Sequence, residues 1–232
     1  MDPLTSSDDL DFRGQSLPGA VFDGQNLSWA RFDRADLAGA SFVGARLDAA
    51  TFTGADLTGA TLTGAHMDAV DLQGALLDCA DLTDVVAIYS DLRRADLTGA
   101  NLTGADLTGA NLTGADATRA VLAGARMISA KARGADLTKA DLTGADLTDA
   151  DLAGAEMSTA RFDGATGAAV AVFHARASAH WATGLVLARI ADDRGIEEYA
   201  QDVQPLVERT IDAGMPVSAP RSSLPPPPIS WA

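Results

Sequence analysis

The sequence is poor in cysteine, in aromatic residues and in basic residues. Its single cysteine, Cys79, excludes an internal disulfide framework and fits a reducing, cytoplasmic compartment. There are 17 lysine and arginine residues against 32 acidic residues, so the formal net charge is −15. Nucleic acids and acidic membranes attract basic surfaces, so we expect neither as a direct ligand. The excess acid indicates either a basic protein partner or a charged surface that only keeps the protein soluble.

Long apolar segments and reactive clusters are absent as well. No run of about 18 uncharged apolar residues occurs, so no membrane span is expected. The N-terminus, MDPLTSSDDL, lacks the apolar core of a signal peptide. The three histidines, His66, His174 and His180, form no ligand cluster, and no phosphate-binding motif follows the glycines. We therefore expect a non-enzymatic protein with no catalytic residues, no metal and no cofactor.

A five-residue word, A-(D/N)-L-T-G, fills most of the chain and is most regular in residues 95–116. Its large apolar residue, the centre, recurs every fifth position from Phe12 to Phe162, and 28 of the 31 centres are Leu, Phe or Met. The residue two before the centre is Ala in 25 of these words, and both share one face of a short extended segment. Glycine two residues after the centre suits a turn with positive φ. The word predicts a chain wound into a coil, with Ala and the centre inside.

This word resembles that of the pentapeptide repeat family over about two thirds of the chain. The resemblance implies an all-β solenoid, a right-handed quadrilateral β-helix with four words per coil and about eight coils. Residues 20 apart then stack on one side. We expect an N-terminal lead-in at 1–9, the β-helix at 10–166, a helical region at 167–214 and a proline-rich tail at 215–232.

When the outward residues are grouped by side, one of the four sides carries mostly acidic residues. That side reads Ser16, Asp36, Asp56, Leu76, Asp96, Asp116, Asp136 and Glu156. The column is interpreted in two ways: as a binding surface, or as a by-product of a word that prefers Asp or Asn because their short side chains bond nearby backbone.

Two further features vary along the array. Phenylalanine occupies alternate centres from Phe12 to Phe52, which predicts two aromatic columns stacked on opposite sides of the first coils. The segment 84–90, DVVAIYS, departs from the word and keeps its length. We expect outward apolar groups there, forming either a local bulge or a contact patch, at Val85, Val86, Ile88 and Tyr89.

The word ends at Thr166, and an alanine-rich stretch follows. Apolar residues at helical spacing predict helices that cap the open end of the β-helix, at Val170, Phe173, Ala177 and Trp181. In family members that act on topoisomerases a C-terminal helix forms a dimer, so the resemblance also leaves open a homodimer. Residues 216–232 contain six of the nine prolines, including Pro225–Pro228, which indicates a disordered or polyproline tail.

The chain looks like the bacterial quinolone-resistance members of the family. That resemblance implies an acidic rod that mimics DNA, binds DNA gyrase or topoisomerase IV and protects it from inhibitors. The residues expected to bind the enzyme are Asp36, Asp56, Asp96, Asp116, Asp136 and Glu156. The alternative is a scaffold or adaptor that uses the rod as a spacer and the helical region or the 84–90 patch to bind a partner.

Overall fold

A computed structural model describes residues 10–167, and these residues form one continuous stack of coils. The residue before each centre makes an isolated parallel β-bridge with the residue 20 positions further on, from Asp11↔Arg31 to Asp146↔Thr166. Five residues per word and 20 per coil give four sides, as the resemblance to pentapeptide repeats implied. The described residues contain only these single-residue bridges and turns, without longer strands or helices.

Four positions of each word are used below. The bridge residue precedes the centre, the inner residue precedes the bridge residue, and two corner residues follow the centre. The sides are numbered by their first bridge residue: side 1 begins at Asp11, side 2 at Ser16, side 3 at Val21 and side 4 at Asn26.

The predicted C-terminal helices lie outside the described residues. This applies to the whole candidate cap or dimerisation set, Val170, Phe173, Ala177 and Trp181. The lead-in and the proline-rich tail also lie outside, so these parts of the domain division stay predictions.

Inner residues and centres together form a single axial core. Nearly all of them are buried from Phe22 to Ala165; the partly exposed apolar residues that pack on this core are Leu10, Phe12, Leu17 and Ala20 in the first coil and Ala160 near the other end. The predicted aromatic columns are confirmed. Phe12, Phe32 and Phe52 stack on side 1 with ring centroids 4.7 and 4.8 Å apart. Phe22 and Phe42 stack on side 3 at 4.9 Å and meet the first column edge to face.

The segment 84–90 keeps the regular coil, so the expected bulge is absent. Val86 bridges His66 and Asp106 without a break in register. The expectation that Val85 points outwards was wrong: it takes the inner position usually held by Ala and is 1% exposed. Ser90 also lies inside, where its hydroxyl donates to the Met67 carbonyl at 2.7 Å.

The second corner residue of each word lies in the left-handed region of backbone space. Eighteen of these 31 residues are glycine, and 13 are not. Non-glycine residues in this conformation cost about 1 kcal/mol or more, because Cβ approaches the following carbonyl. The turn geometry is therefore imposed by the stacked coils even where the sequence opposes it.

Replacing Gly59 with Ala should destabilise the rod by about 1 kcal/mol. Gly59 has φ +63°, and a Cβ there would meet no atom within 4 Å, so the cost is conformational. Gly109→Ala should cost more, because its Cβ would overlap the Tyr89 ring. Chemical denaturation of both variants, and of Gly109→Ala combined with Tyr89→Ala, measures the difference. The conformational account is contradicted if Gly59→Ala leaves the midpoint unchanged, or if removing Tyr89 does not reduce the cost at Gly109.

Candidate protein-binding surface on side 2

The coils leave the N–H of the first corner residue without a backbone acceptor, and in most words a side-chain oxygen fills that role. In the word 55–59, the amides of Asp56, Leu57 and Gly59 donate to neighbouring coils at 2.7–2.9 Å. The amide of Ala55 donates within the turn, to the Phe52 carbonyl at 2.9 Å. The Thr58 amide donates instead to Oδ1 of Asp56, at 2.9 Å. The preference for Asp or Asn at the bridge position follows from this bond.

Asparagine performs the same task without charge. Asn101 accepts from the Thr103 amide at 3.2 Å, and Asn111 accepts from the Thr113 amide at 3.1 Å. Where the bridge residue is Ser41, Thr51 or Val86, the amide of the first corner residue donates instead to an aspartate at the first corner position of the preceding coil. These aspartates are Asp23, Asp33 and Asp68, at 3.0–3.1 Å from the amides they cap. Sequence reasoning missed this substitute, although a bridge residue other than Asp or Asn, together with Asp 18 residues earlier, is its signal.

The six acidic residues predicted as a binding set do lie in one column. Bridges connect Ser16, Asp36, Asp56, Leu76, Asp96, Asp116, Asp136 and Glu156 in succession. At a strand spacing of about 4.8 Å, the column from Asp36 to Glu156 extends about 29 Å. Leu76, which is 45% exposed, divides it into a pair and a run of four.

Each of these six carboxylates uses one oxygen to cap its own word, at 2.9–3.3 Å from the amide two residues on. Within residues 10–167, the other oxygen of Asp56, Asp96, Asp116 and Asp136 accepts no hydrogen bond. The by-product interpretation therefore explains why an Asp or Asn stands there. It leaves open why all six are acids, since Asn caps equally well.

Side 2 differs from the other sides in its ion pairs. In the described part of the chain, every ion pair uses an acid at a bridge or first corner position of side 1, 3 or 4. Examples are Arg126 with Asp106 at 3.1 Å and Arg161 with Asp141 at 2.8 Å. The column on side 2 thus keeps its negative charge unneutralised by direct contacts.

Cations border side 2 at its two corners. Arg34 and Arg94 occupy the corner shared with side 1, and Arg119 and Lys139 the corner shared with side 3. They make no ion pair with the described residues. Their presence restricts the strongly negative surface to a narrow strip along the middle of the side.

Hydrogen bonds to the ionised form lower the pKa of several aspartates on the other sides. The hydroxyl of Thr83 lowers the pKa of Asp81, and the hydroxyl of Thr148 lowers that of Asp146. On side 1, the Arg13 guanidinium lowers the pKa of Asp11 to about 2. These carboxylates bond more strongly in the folded rod than in the unfolded chain, so their ionised form stabilises the fold.

The rod should lose stability between about pH 4 and pH 2. The folded pKa of Asp81 and Asp146 lies below the unfolded value, so their contribution is present above about pH 4 and is lost as pH falls through the folded pKa. The double variant Asp81→Asn, Asp146→Asn keeps both caps and cannot titrate. Thermal unfolding at pH 7 and pH 2.5 should show a smaller drop in Tm for this variant than for the natural chain, and an equal drop would contradict the assignment.

The other candidate residues form no site in the described range. Cys79 is exposed at a second corner position, and hydrogen bonding to Asp78 raises its thiol pKa. Residues 10–167 contain no group of three or more His, Cys, Asp or Glu side chains placed to hold a metal ion. No helix capable of crossing a membrane occurs in this part of the chain.

Comparison with known proteins gives a consistent picture of the fold. HetL, a pentapeptide repeat protein involved in heterocyst differentiation regulation in the cyanobacterium Nostoc, is 26% identical, with a TM-score of 0.53 over 67% of this chain and 87% of HetL. QnrB1, a plasmid-mediated fluoroquinolone resistance protein, is 19% identical, with a TM-score of 0.57 over 78% of this chain and 91% of QnrB1. No curated protein sequence matches the chain.

A family profile described as pentapeptide repeats matches in eight copies, over residues 30–68, 65–104, 105–144 and 133–166. These matches cover more than half of the chain and lie within the coiled region. The twenty-residue coil, the left-handed corner residues and the structural neighbours agree with a right-handed quadrilateral β-helix. The chain therefore belongs to the pentapeptide repeat family.

Proposed function

We propose that the protein binds the basic DNA-binding surface of a type II topoisomerase, DNA gyrase or topoisomerase IV, through side 2, and that it protects the enzyme from inhibitors. The observation that supports this most directly is the acidic column, whose charges are not paired within the described residues. Such a partner would require a cytoplasmic location, in agreement with the single cysteine.

The spacing of charge on side 2 supports mimicry of nucleic acid. One carboxylate per coil gives a charge about every 4.8 Å, and one strand of duplex DNA carries a phosphate about every 3.4 Å of axis. The run Asp96, Asp116, Asp136 and Glu156 is the continuous part of this column. A basic groove that accepts one DNA strand would meet a similar line of charge on a rigid support. QnrB1 is a fluoroquinolone resistance protein of the same fold, which is compatible with this role.

A supercoiling assay with purified gyrase and the full chain, with and without a fluoroquinolone, tests the proposal. We expect the chain at micromolar concentration to preserve supercoiling in the presence of the drug. Removing the six charges while keeping the amide caps should abolish the effect. The required changes are Asp36→Asn, Asp56→Asn, Asp96→Asn, Asp116→Asn, Asp136→Asn and Glu156→Gln.

A matched control removes six charges from capping residues on the other sides, so both variants change the net charge of −15 by the same amount. The control carries Asp71→Asn, Asp81→Asn, Asp106→Asn, Asp141→Asn, Asp146→Asn and Asp151→Asn. It should still protect gyrase, because side 2 is intact. If the natural chain changes nothing in either drug condition, the proposal fails, and equal loss in both variants moves the binding surface away from side 2.

An adaptor function is the second candidate, and two observations favour it. Arg34, Arg94, Arg119 and Lys139 border the acidic strip and weaken its field, and HetL, a relative of the same fold, takes part in regulation of differentiation. In this case the 84–90 patch or residues 167–214 would bind the partner. Proximity labelling in the host cell with the full chain distinguishes the two. An adaptor should keep its partner after side-2 neutralisation and lose it after Val86→Thr, Ile88→Thr and Tyr89→Ser, and the opposite result would exclude binding through the patch.

A further inference from the structure

The strained corner residues are unevenly distributed around the rod. The corner between side 4 and side 1 has seven second corner residues, and six are not glycine: Trp29, Ala49, Ala69, Tyr89, Ser129 and Asp149. The other three corners together hold only seven non-glycine residues at 24 such positions. Left-handed backbone at non-glycine residues is costly and is often retained at binding surfaces. This corner therefore keeps outward side chains where glycine would be more stable.

Two of these side chains are the most exposed large hydrophobic residues of the described rod. Trp29 is 76% exposed and Tyr89 is 73% exposed. They stand three coils apart, about 14 Å at the usual strand spacing. Ala49 and Ala69 lie between them, and their small side chains leave the space between the two aromatic residues unfilled. We call these four residues the aromatic corner.

The Tyr89 ring has a defined position on the corner. It lies over Gly109, where any Cβ would overlap the ring. Gly109 is the single glycine among the second corner residues of this corner. The ring is thus supported on the C-terminal side, away from Ala69, and the space between the two aromatic residues stays open.

The donors of the aromatic corner are available for a ligand. Neither the Trp29 indole N–H nor the Tyr89 hydroxyl makes a hydrogen bond with any residue of the 10–167 range. Surfaces with exposed aromatic rings and free donors suit polyproline segments, which present ring surfaces and carbonyl acceptors but no N–H groups. We propose that the aromatic corner binds the Pro225–Pro228 segment of the same chain. A four-residue polyproline II segment is about 12 Å long, close to the separation of the two aromatic residues.

The described coils end at this same corner. Gly167 has φ +73° and packs so closely on Thr148 that a Cβ would overlap the Thr148 backbone. Thr148 is the first corner residue at the corner between side 4 and side 1 in the coil just before Gly167. The C-terminal part of the chain therefore starts at the upper end of the corner that carries Trp29 and Tyr89.

The length of chain beyond Gly167 is sufficient. Pro225 lies 58 residues further on, and a stretch of this length could span up to about 87 Å even if it were wholly helical. The path from Gly167 down to Trp29 is about seven coils, or about 34 Å. Tethering keeps the local concentration of the segment high, so weak contacts suffice for occupancy. Side 2 does not adjoin this corner and stays free, so the inference is independent of the proposed gyrase binding.

Fluorescence of Trp29 in the full chain tests the inference. Trp181→Phe and Trp231→Phe make Trp29 the single tryptophan. We expect Trp29 to be protected from acrylamide quenching, and replacement of Pro225–Pro228 by serine should remove the protection and shift emission to the red. Tyr89→Ala should weaken it in the same direction. The matched control, Pro216→Ser with Pro220→Ser, should leave both signals unchanged.

Two outcomes overturn the inference. If Trp29 is as accessible in the parent as in the Pro225–Pro228 variant, the segment does not occupy the corner. If protection disappears on dilution while a measured mass shows dissociation from dimer to monomer, the occupant is the tail of a second copy. The substitutions in the tail lie outside the rod and Trp29 and Tyr89 are exposed, so the coils themselves should stay folded; circular dichroism of each variant checks this.

Discussion

One backbone amide per word, left without a backbone acceptor, determines much of this protein's surface. In a word that lies between two coils, the other backbone N–H groups find carbonyl acceptors in the turn or in the neighbouring coils. The remaining one, on the first corner residue, donates to a side-chain oxygen in most words, as the Thr58 amide donates to Asp56. A short side chain with an oxygen at the bridge position accepts this bond without distorting the backbone. The repeated Asp or Asn thus has a structural role before any functional one.

The amide cap depends on the shape of the side chain that accepts the hydrogen bond and not on its charge. Asn101 and Asn111 cap their words as the aspartates do, so each bridge position can be neutral or negative at similar structural cost. On sides 1, 3 and 4, arginines pair with many of the acids. On side 2 they do not. The acidic column is therefore a feature that the fold permits and does not demand, which is the reason to connect it with binding.

Much of the rod could be predicted from the sequence because the period and the position of the centre decide which residues face inwards. The Phe12 and Phe22 columns followed from the spacing of the phenylalanines together with the four words per coil that the family resemblance implied. Val85 was misassigned because the irregular segment 84–90 was expected to turn its apolar residues outwards, whereas Val85 takes the inner position two before the centre. The caps from Asp23, Asp33 and Asp68 were missed, since they act between coils and are invisible within one word. The corner strain at Trp29 and Tyr89 required backbone angles, which residue types alone do not give.

The most regular part of the chain is also the part in which alignment of coils is least specified. Within residues 95–116, a shift of five residues would replace each word by a nearly identical one and rotate the chain by one side. Only words whose residues differ from those of the neighbouring words can prevent such a slip. On the N-terminal side of this run, the inner positions are held by Val85 and by the buried Ser90, which donates to the Met67 carbonyl. The segment 84–90 differs from the words on either side of it, so a slip of five residues would move one of these two side chains into a position that alanine occupies.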